Sequence, residues 1–216
     1  MNSGASTEIG KSGSALLSAT GLSCVRGGNL LFRNLDLKLE SGQAGILTGP
    51  NGVGKSSLLR LIAGLLPAFA GDVGVSGSVA LCDDKLALDE HLPLEAALQF
   101  WAKMDSRNAK EVGQAMAAAG LAHLAEVPVR YFSTGQRQRA RLARTFLSGA
   151  DIWLLDEPVN GLDSGSVKQL GGVLQAHLKS GGIILAASHI PLPFPPDLAL
   201  DLQPLAQELE QLDASS

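Results

Sequence analysis

Leu35, Leu37 and Leu39 alternate with Asp36, Lys38 and Glu40, a period of two that marks a strand with one face in water. With the patch Leu16 to Val25 and the turn residues Gly27-Gly28-Asn29 before it, this predicts a half-exposed antiparallel hairpin at the start of the domain. The pattern then changes. Gly45 to Thr48 is a short apolar strand, and Ser56 to Leu66 carries leucines at helical spacing. A second group of short strands is expected between Gly71 and Leu81. Leu94 to Ala125 is Ala-rich and helical, broken near Asp105 to Asn108 and at Gly120. Further helices are predicted over Gln136 to Leu147 and Ser164 to Lys179, and continuous apolar strands over Ile152 to Leu155 and Ile183 to Ala187. Such alternation of buried strands and helices predicts a largely parallel sheet. Beyond it Pro191, Pro193, Pro195 and Pro196 impose an extended connection, and Leu205 to Leu212 has the pattern of one or two final amphipathic turns.

Composition narrows the class. The 216 residues are 45% hydrophobic and 18% charged, enough for one packed domain. Residues 1–14 are Ser/Gly-rich without an apolar pattern and read as a disordered tail. Seventeen basic against 21 acidic residues give a formal charge of -4, which argues against nucleic acid as a partner. No apolar run reaches the ~20 residues of a membrane span, so a soluble chain is expected. Cys24 and Cys82 stand apart from each other and from histidines at ligand spacing, and read as buried thiols in a reducing compartment.

The chemistry begins at Gly49-Pro50-Asn51-Gly52-Val53-Gly54-Lys55-Ser56, with Ser57 next, which fits G-x-x-x-x-G-K-[ST] at every fixed position. Its glycines let backbone N–H groups turn toward phosphates, Lys55 brings a point charge, and Ser56 offers a hydroxyl to Mg²⁺. The helix that follows directs its positive end at the anion. A second set lies downstream: Ser133-Thr134-Gly135-Gln136 before a helix, Asp156-Glu157 ending a buried strand, Asn160-Gly161-Leu162-Asp163 after it, and Ser188-His189 at the end of the next strand. An acid at the end of the strand is placed to reach the metal through water, and its neighbour to polarise water aimed at a γ-phosphate.

Five motifs in this order resemble the ATP-binding cassette family, over roughly residues 16–200. The resemblance implies a P-loop NTPase of α/β class: a largely parallel core sheet, an N-terminal antiparallel β subdomain, and a helical subdomain at about 85–148 inside one ATPase domain, 15–216. It implies ATP and Mg²⁺ as cofactors, Glu157 as general base and His189 at the γ-phosphate. Asp156 would hold Mg²⁺ through water, with Ser56. It also implies a homodimer formed on ATP binding, in which Ser133, Thr134, Gly135 and Gln136 complete the neighbouring chain's site and Asp163 carries the contact between sites. The Leu22-Ser23-Cys24 and Leu31-Phe32-Arg33-Asn34-Leu35 start, with the short tail after His189, is similar to the branch that serves bacterial cytochrome c maturation. That branch implies integral membrane partners of the CcmB, CcmC and CcmD kind, a place on the cytoplasmic face of the inner membrane, and work in haem export or haem-chaperone release. The alternatives are the ATPase of another transporter of the family, or a non-transport or regulatory cassette.

Two segments depart from the family pattern. Where an aromatic residue usually stacks on adenine, the chain has Ser23-Cys24-Val25-Arg26, which leaves Arg26 as a stacking group or a solvated turn residue. Where a γ-phosphate-sensing Gln is usual, it has Leu81-Cys82-Asp83-Asp84-Lys85; exposed loop carboxylates are the favoured reading, and a metal or water contact the other. Arg137, Arg141 and Arg144 read as a solvated basic face, and His91, His123 and His177 as surface or capping residues without a metal role. Phe100, Trp101, Met104, Tyr131 and Phe132 read as packing, with a groove for a membrane subunit as the functional alternative.

Overall fold

The computed structural model describes residues 14–203. The tail expected at 1–14 lies outside this range except for Ser14, and the turns expected at 205–212 lie outside it entirely. Among the described residues, β1 (Leu16–Arg26) and β2 (Asn29–Glu40) form the predicted hairpin. Leu35, Leu37 and Leu39 are buried, while Asp36, Lys38 and Glu40 face water. β3 (Ala44–Thr48) runs into the glycine loop and α1 (Lys55–Ile62). This helix stops before Leu66: Gly64 takes φ 72° and Leu65 N–H closes back on Arg60 O at 2.8 Å, a left-handed helix end that glycine supplies without steric cost.

The two short strands expected next belong to different sheets. β4 (Ala70–Ser76) pairs with β1, giving a three-stranded antiparallel sheet of order β2-β1-β4. After a turn at Gly77, β5 (Val79–Cys82) pairs with β6 (Ile152–Asp156) instead. β7 (Ile183–Ala187) and β8 (Leu198–Asp201) complete a five-stranded parallel sheet of order β5-β6-β7-β3-β8. β8 corrects the sequence reading, which left only an extended connection there.

Period two explains the apolar runs of the parallel strands. Ile152 and Leu154 of β6, and Ile183 and Leu185 of β7, face a core shared with α1 and the antiparallel sheet. Trp153, Leu155, Ile184 and Ala186 face the opposite core, against α5 (Ser164–Lys179). Each fully buried aliphatic side chain contributes about 1.5–3 kcal/mol relative to exposure, so both faces tolerate only apolar residues.

A third core, centred on Leu94, Leu98, Val112, Leu121 and Ala143, joins α2 (Leu94–Met104), α3 (Ala109–Ala118) and α4 (Thr134–Ser148). Local chemistry sets these helix starts. Asn108 with Glu111, and Ser133 with Gln136, form capping boxes that satisfy otherwise orphaned N–H groups. Gly149 ends α4 at φ 59°.

Candidate nucleotide site

Parallel pairing does most of the assembly. β6, β7 and β3 are neighbours and point the same way, so the segments that follow them, Asp156-Glu157, Ser188-His189 and the loop 49–54, gather at one edge. The loop and the carboxylate pair border a cleft of about 320 Å³ lined by Asn51, Gly52, Gly54, Lys55, Ser56, Ser57, Asp156 and Glu157, with Arg26 and Leu31; His189 is not in the lining and reaches it only through Glu157.

The glycine loop needs its glycines. Gly49, Gly52 and Gly54 have φ of 123°, 86° and 114°, and a Cβ on Gly54 would stand 3.1 Å from the Phe32 ring. Lys55 is buried, its Nζ donating to Gly49 O at 2.7 Å and Pro50 O at 3.1 Å. The ammonium is thereby folded over the loop, a cation within a ring of backbone groups at the start of α1.

Asp156 sits opposite. Burial raises its carboxyl above the usual range; a hydrogen bond with Ser56 works against this, the charge of Glu157 adds to it, Arg60 lowers it and Asp84 raises it. A hydroxyl and a carboxylate lining one cleft are the hard oxygen donors that suit Mg²⁺. Glu157 follows at φ 49°, unusual for a residue with a Cβ and worth about 1–3 kcal/mol of strain. Several bonds hold it there. Its N–H donates to Ala187 O at 2.9 Å, and Gln138 Nε2 donates to Glu157 O at 3.3 Å and Pro158 O at 3.2 Å. Its Oε2 lies 2.9 Å from His189 Nδ1, which pairs the carboxylate with an imidazole that is 53% exposed.

The segment 133–136 is elsewhere, absent from the cleft lining. Ser133 and Thr134 are exposed at the start of α4, with Ser133 N–H donating to Gln136 Oε1 at 2.8 Å and Gln136 N–H to Ser133 Oγ at 3.3 Å. Gly135 abuts the turn after β6 so closely that a Cβ would stand 2.7 Å from Gly161 O. Asp163 caps α5, accepting from Ser166 N–H at 2.8 Å. The motif and the Asn160 to Asp163 turn thus form one exposed unit beside the cleft.

Several sequence expectations change here. Arg26 reaches Ser57 Oγ at 3.4 Å on the cleft wall. Asp83 is no free loop carboxylate: it is largely buried and paired with Arg60 at 3.0 Å. The arginines of α4 are anchored, not a solvated face. Arg137 donates to Phe132 O and Arg130 O, Arg141 to Gln138 Oε1, and Arg144 pairs with Asp105 and lies over Trp101. His177 is stacked on Trp153 at 3.7 Å, within the fold. Of the aromatic and apolar residues read as packing, Phe132 is buried, whereas Phe100, Met104 and Tyr131 are exposed. A groove of about 380 Å³ between α3, α4 and α5, bordered by Arg107, Trp153 and His177, is larger than the cleft but has no glycine loop or carboxylate pair, so the smaller one is the candidate site.

Sequence reasoning missed Gln138 and Arg60. The signal for Gln138 was its place one turn after the capping box; its partners lie 19 and 20 positions away.

A glycine loop and a strand-end carboxylate pair on this sheet, with the exposed start of α4, define an ATP-hydrolysing cassette. The chain belongs to the ABC transporter family, whose model matches residues 32–160. It is 52% identical over 177 residues to the "Cytochrome c biogenesis ATP-binding export protein CcmA" of Zymomonas mobilis, covering 82% of this chain and 80% of that protein. The protein of the same name from Novosphingobium aromaticivorans is 51% identical, over 82% of this chain and 90% of its own length. Among solved structures, the ATP binding subunit of an ABC transporter superposes with a TM-score of 0.73 at 23% identity, covering 81% of this chain and 80% of that one.

Proposed function

We propose that this ATPase is the engine of a cytochrome c maturation complex, driving haem export or release of a haem-loaded chaperone. Supporting the reading are relatives at 52% and 51% identity whose names carry that process. The observation that carries the chemistry is the convergence of Lys55, Ser56, Asp156, Glu157 and His189 at the ends of three adjacent parallel strands.

In this mechanism the Gly49 to Ser57 loop and Lys55 bind the β- and γ-phosphates. Ser56 and Asp156 would hold Mg²⁺, which neutralises phosphate charge. Glu157 takes the proton of the attacking water, and His189, bonded to its Oε2, orients the carboxylate and faces the γ-phosphate. Ser133 to Gln136 and the positive end of α4 serve the ATP of a second copy, with the Asp163 turn alongside. We assign this work to one domain, 15–216, in which about 85–148 forms the helical subdomain.

No helix among the described residues is long and apolar enough to cross a membrane. The chain would act peripherally, on the cytoplasmic face of the inner membrane, through integral subunits of the CcmB, CcmC and CcmD kind. Phe100 and Met104, 57% and 68% exposed and one turn apart on α2, are apolar anchors fit for such a subunit. Affinity purification of the tagged chain from detergent-solubilised membranes tests this: small integral membrane proteins of cytochrome c maturation should co-purify. Recovery of only ribosomal or DNA-bound proteins would overturn it.

A further inference from the structure

The groove of about 380 Å³ between α3, α4 and α5 shares no lining residue with the phosphate cleft. Its lining is largely aromatic and aliphatic. Trp153 has Phe146 5.3 Å away at a tilt of 33°, and His177 stacked on it at 3.7 Å and 6°. Ala115, Leu147 and Val173 continue the apolar wall. Room for the larger groups is built into the chain: a Cβ on Gly182 would collide with the His177 ring, and one on Gly149 with the Arg107 guanidinium.

Two N–H donors of this lining have no acceptor among the described residues. Trp153 is 5% exposed, and its Nε1 is buried without a hydrogen-bond partner, as is Nε of Arg107. The rest of that guanidinium is committed, since Nη1 donates to Glu111 Oε1 at 3.2 Å and Nη2 to Ser148 O at 3.1 Å. A buried donor left unpaired is costly, so the group that completes this groove is an acceptor.

Charge narrows the choice further. Arg107 is already balanced by Glu111, whose carboxyl is held below the usual range by the Asn108 N–H, with Arg107 adding to the effect. An incoming anion would meet that ionised carboxylate. Stacked rings and aliphatic walls suit a flat apolar body, and water, which satisfies either donor, gains nothing from the rings.

We propose that this groove is a second small-molecule site, for a planar, uncharged aromatic molecule that carries carbonyl or ring-nitrogen acceptors. Its body lies against Trp153 and Phe146, and its acceptor atoms receive the N–H groups of Trp153 and Arg107. Walls from α3 and α4 on one side and α5 on the other make the bound molecule a bridge between the helical core and the layer against the parallel sheet.

Coumarin, a flat lactone with two acceptor oxygens, is the probe. Titrated into the isotope-labelled chain, it should shift the indole N–H resonance of Trp153 saturably, with a Kd of about 10⁻³ to 10⁻⁴ M, as suits so small a ligand. The indole N–H of Trp101, which donates to Ala87 O, should not move, and Trp101→Phe tells the two signals apart. Ala176 is exposed on α5 at the groove, so Ala176→Phe blocks the groove without entering a core and should abolish the shift. Arg107→Met should weaken binding by roughly tenfold. Coumarin-3-carboxylate should bind more weakly than coumarin by roughly tenfold or more. No saturable shift of the Trp153 signal, a shift that survives Ala176→Phe, undiminished binding in Arg107→Met, or binding of the carboxylate as tight as that of coumarin would overturn the proposal. Saturating Mg-ATP should leave the titration unchanged; competition would place coumarin in the nucleotide cleft and overturn the second site.

Discussion

Glu157 combines three properties at the residue scale: a left-handed backbone, a backbone carbonyl clamped by Gln138, and a carboxylate paired with His189. Glu157 lines the cleft together with Asp156. Glu157→Gln keeps the size and the backbone and removes only the carboxylate proposed as the base. It should retain ATP binding, measured by equilibrium titration, and lower phosphate release by about 10²- to 10⁴-fold. Steady hydrolysis at the parent rate would contradict the assignment of the base. The acids, the lysine and the histidine were legible in the sequence because each ends a recognisable strand or opens a helix. The clamp was not, because Gln138 reads as one more polar residue until the sheet brings its partner carbonyls to it. Arg60 was hidden for the same reason, lying 23 positions from Asp83.

Among elements, α4 opens with the segment proposed to serve a second chain. Its start was visible as Ser133 to Gln136 ahead of a helical pattern, and its packing face as Leu142, Ala143 and Phe146, of which the first two are buried and Phe146 half-buried. The fate of its arginines was not visible, since a helical stripe of charge says nothing about which neighbour approaches. Arg137 and Arg144 turn out to anchor the helix to Glu90 and to the Trp101 ring, while Arg141 bonds Gln138 within α4. The close approach of Gly135 to Gly161 O gives a test at this scale. Gly135→Val places a side chain against a main-chain oxygen, which must displace the Asn160 to Asp163 turn. In the Glu157→Gln protein, sedimentation with Mg-ATP should then show the dimer lost or weakened by roughly tenfold or more, a shift of about 1.4 kcal/mol. Undiminished dimerisation would mean that this surface is not part of the shared site.

For the molecule as a whole, the parallel sheet followed from strand and helix alternation, and the hairpin from period two. The order of strands did not follow, because sequence shows neighbours along the chain and not across it. β4 and β5 went to different sheets, and β8 lay concealed behind four prolines. One consequence of the sheet's burial is measurable. Cys82, at the end of β5, has its thiol pushed up from 9.0 to about 12, chiefly by burial. The native state therefore holds this proton more tightly than the unfolded chain. The contribution is complete below pH 9 and is lost as pH rises toward 12, at about 1.4 kcal/mol for each unit between the two values. Urea unfolding at about pH 8 and about pH 11 should show a steeper alkaline loss for the parent than for Cys82→Ala, which lacks the titrating group. Equal slopes would contradict a thiol buried this way.

The central claim is that hydrolysis occurs at sites each completed by the Ser133 to Gln136 segment of a second chain. Phosphate release from Mg-ATP, followed at increasing protein concentration, tests it most directly. The rate per chain should rise with concentration and then level off as paired chains fill, and Glu157→Gln should release almost nothing throughout. A per-chain rate independent of concentration, or no release above that of Glu157→Gln, would contradict the account.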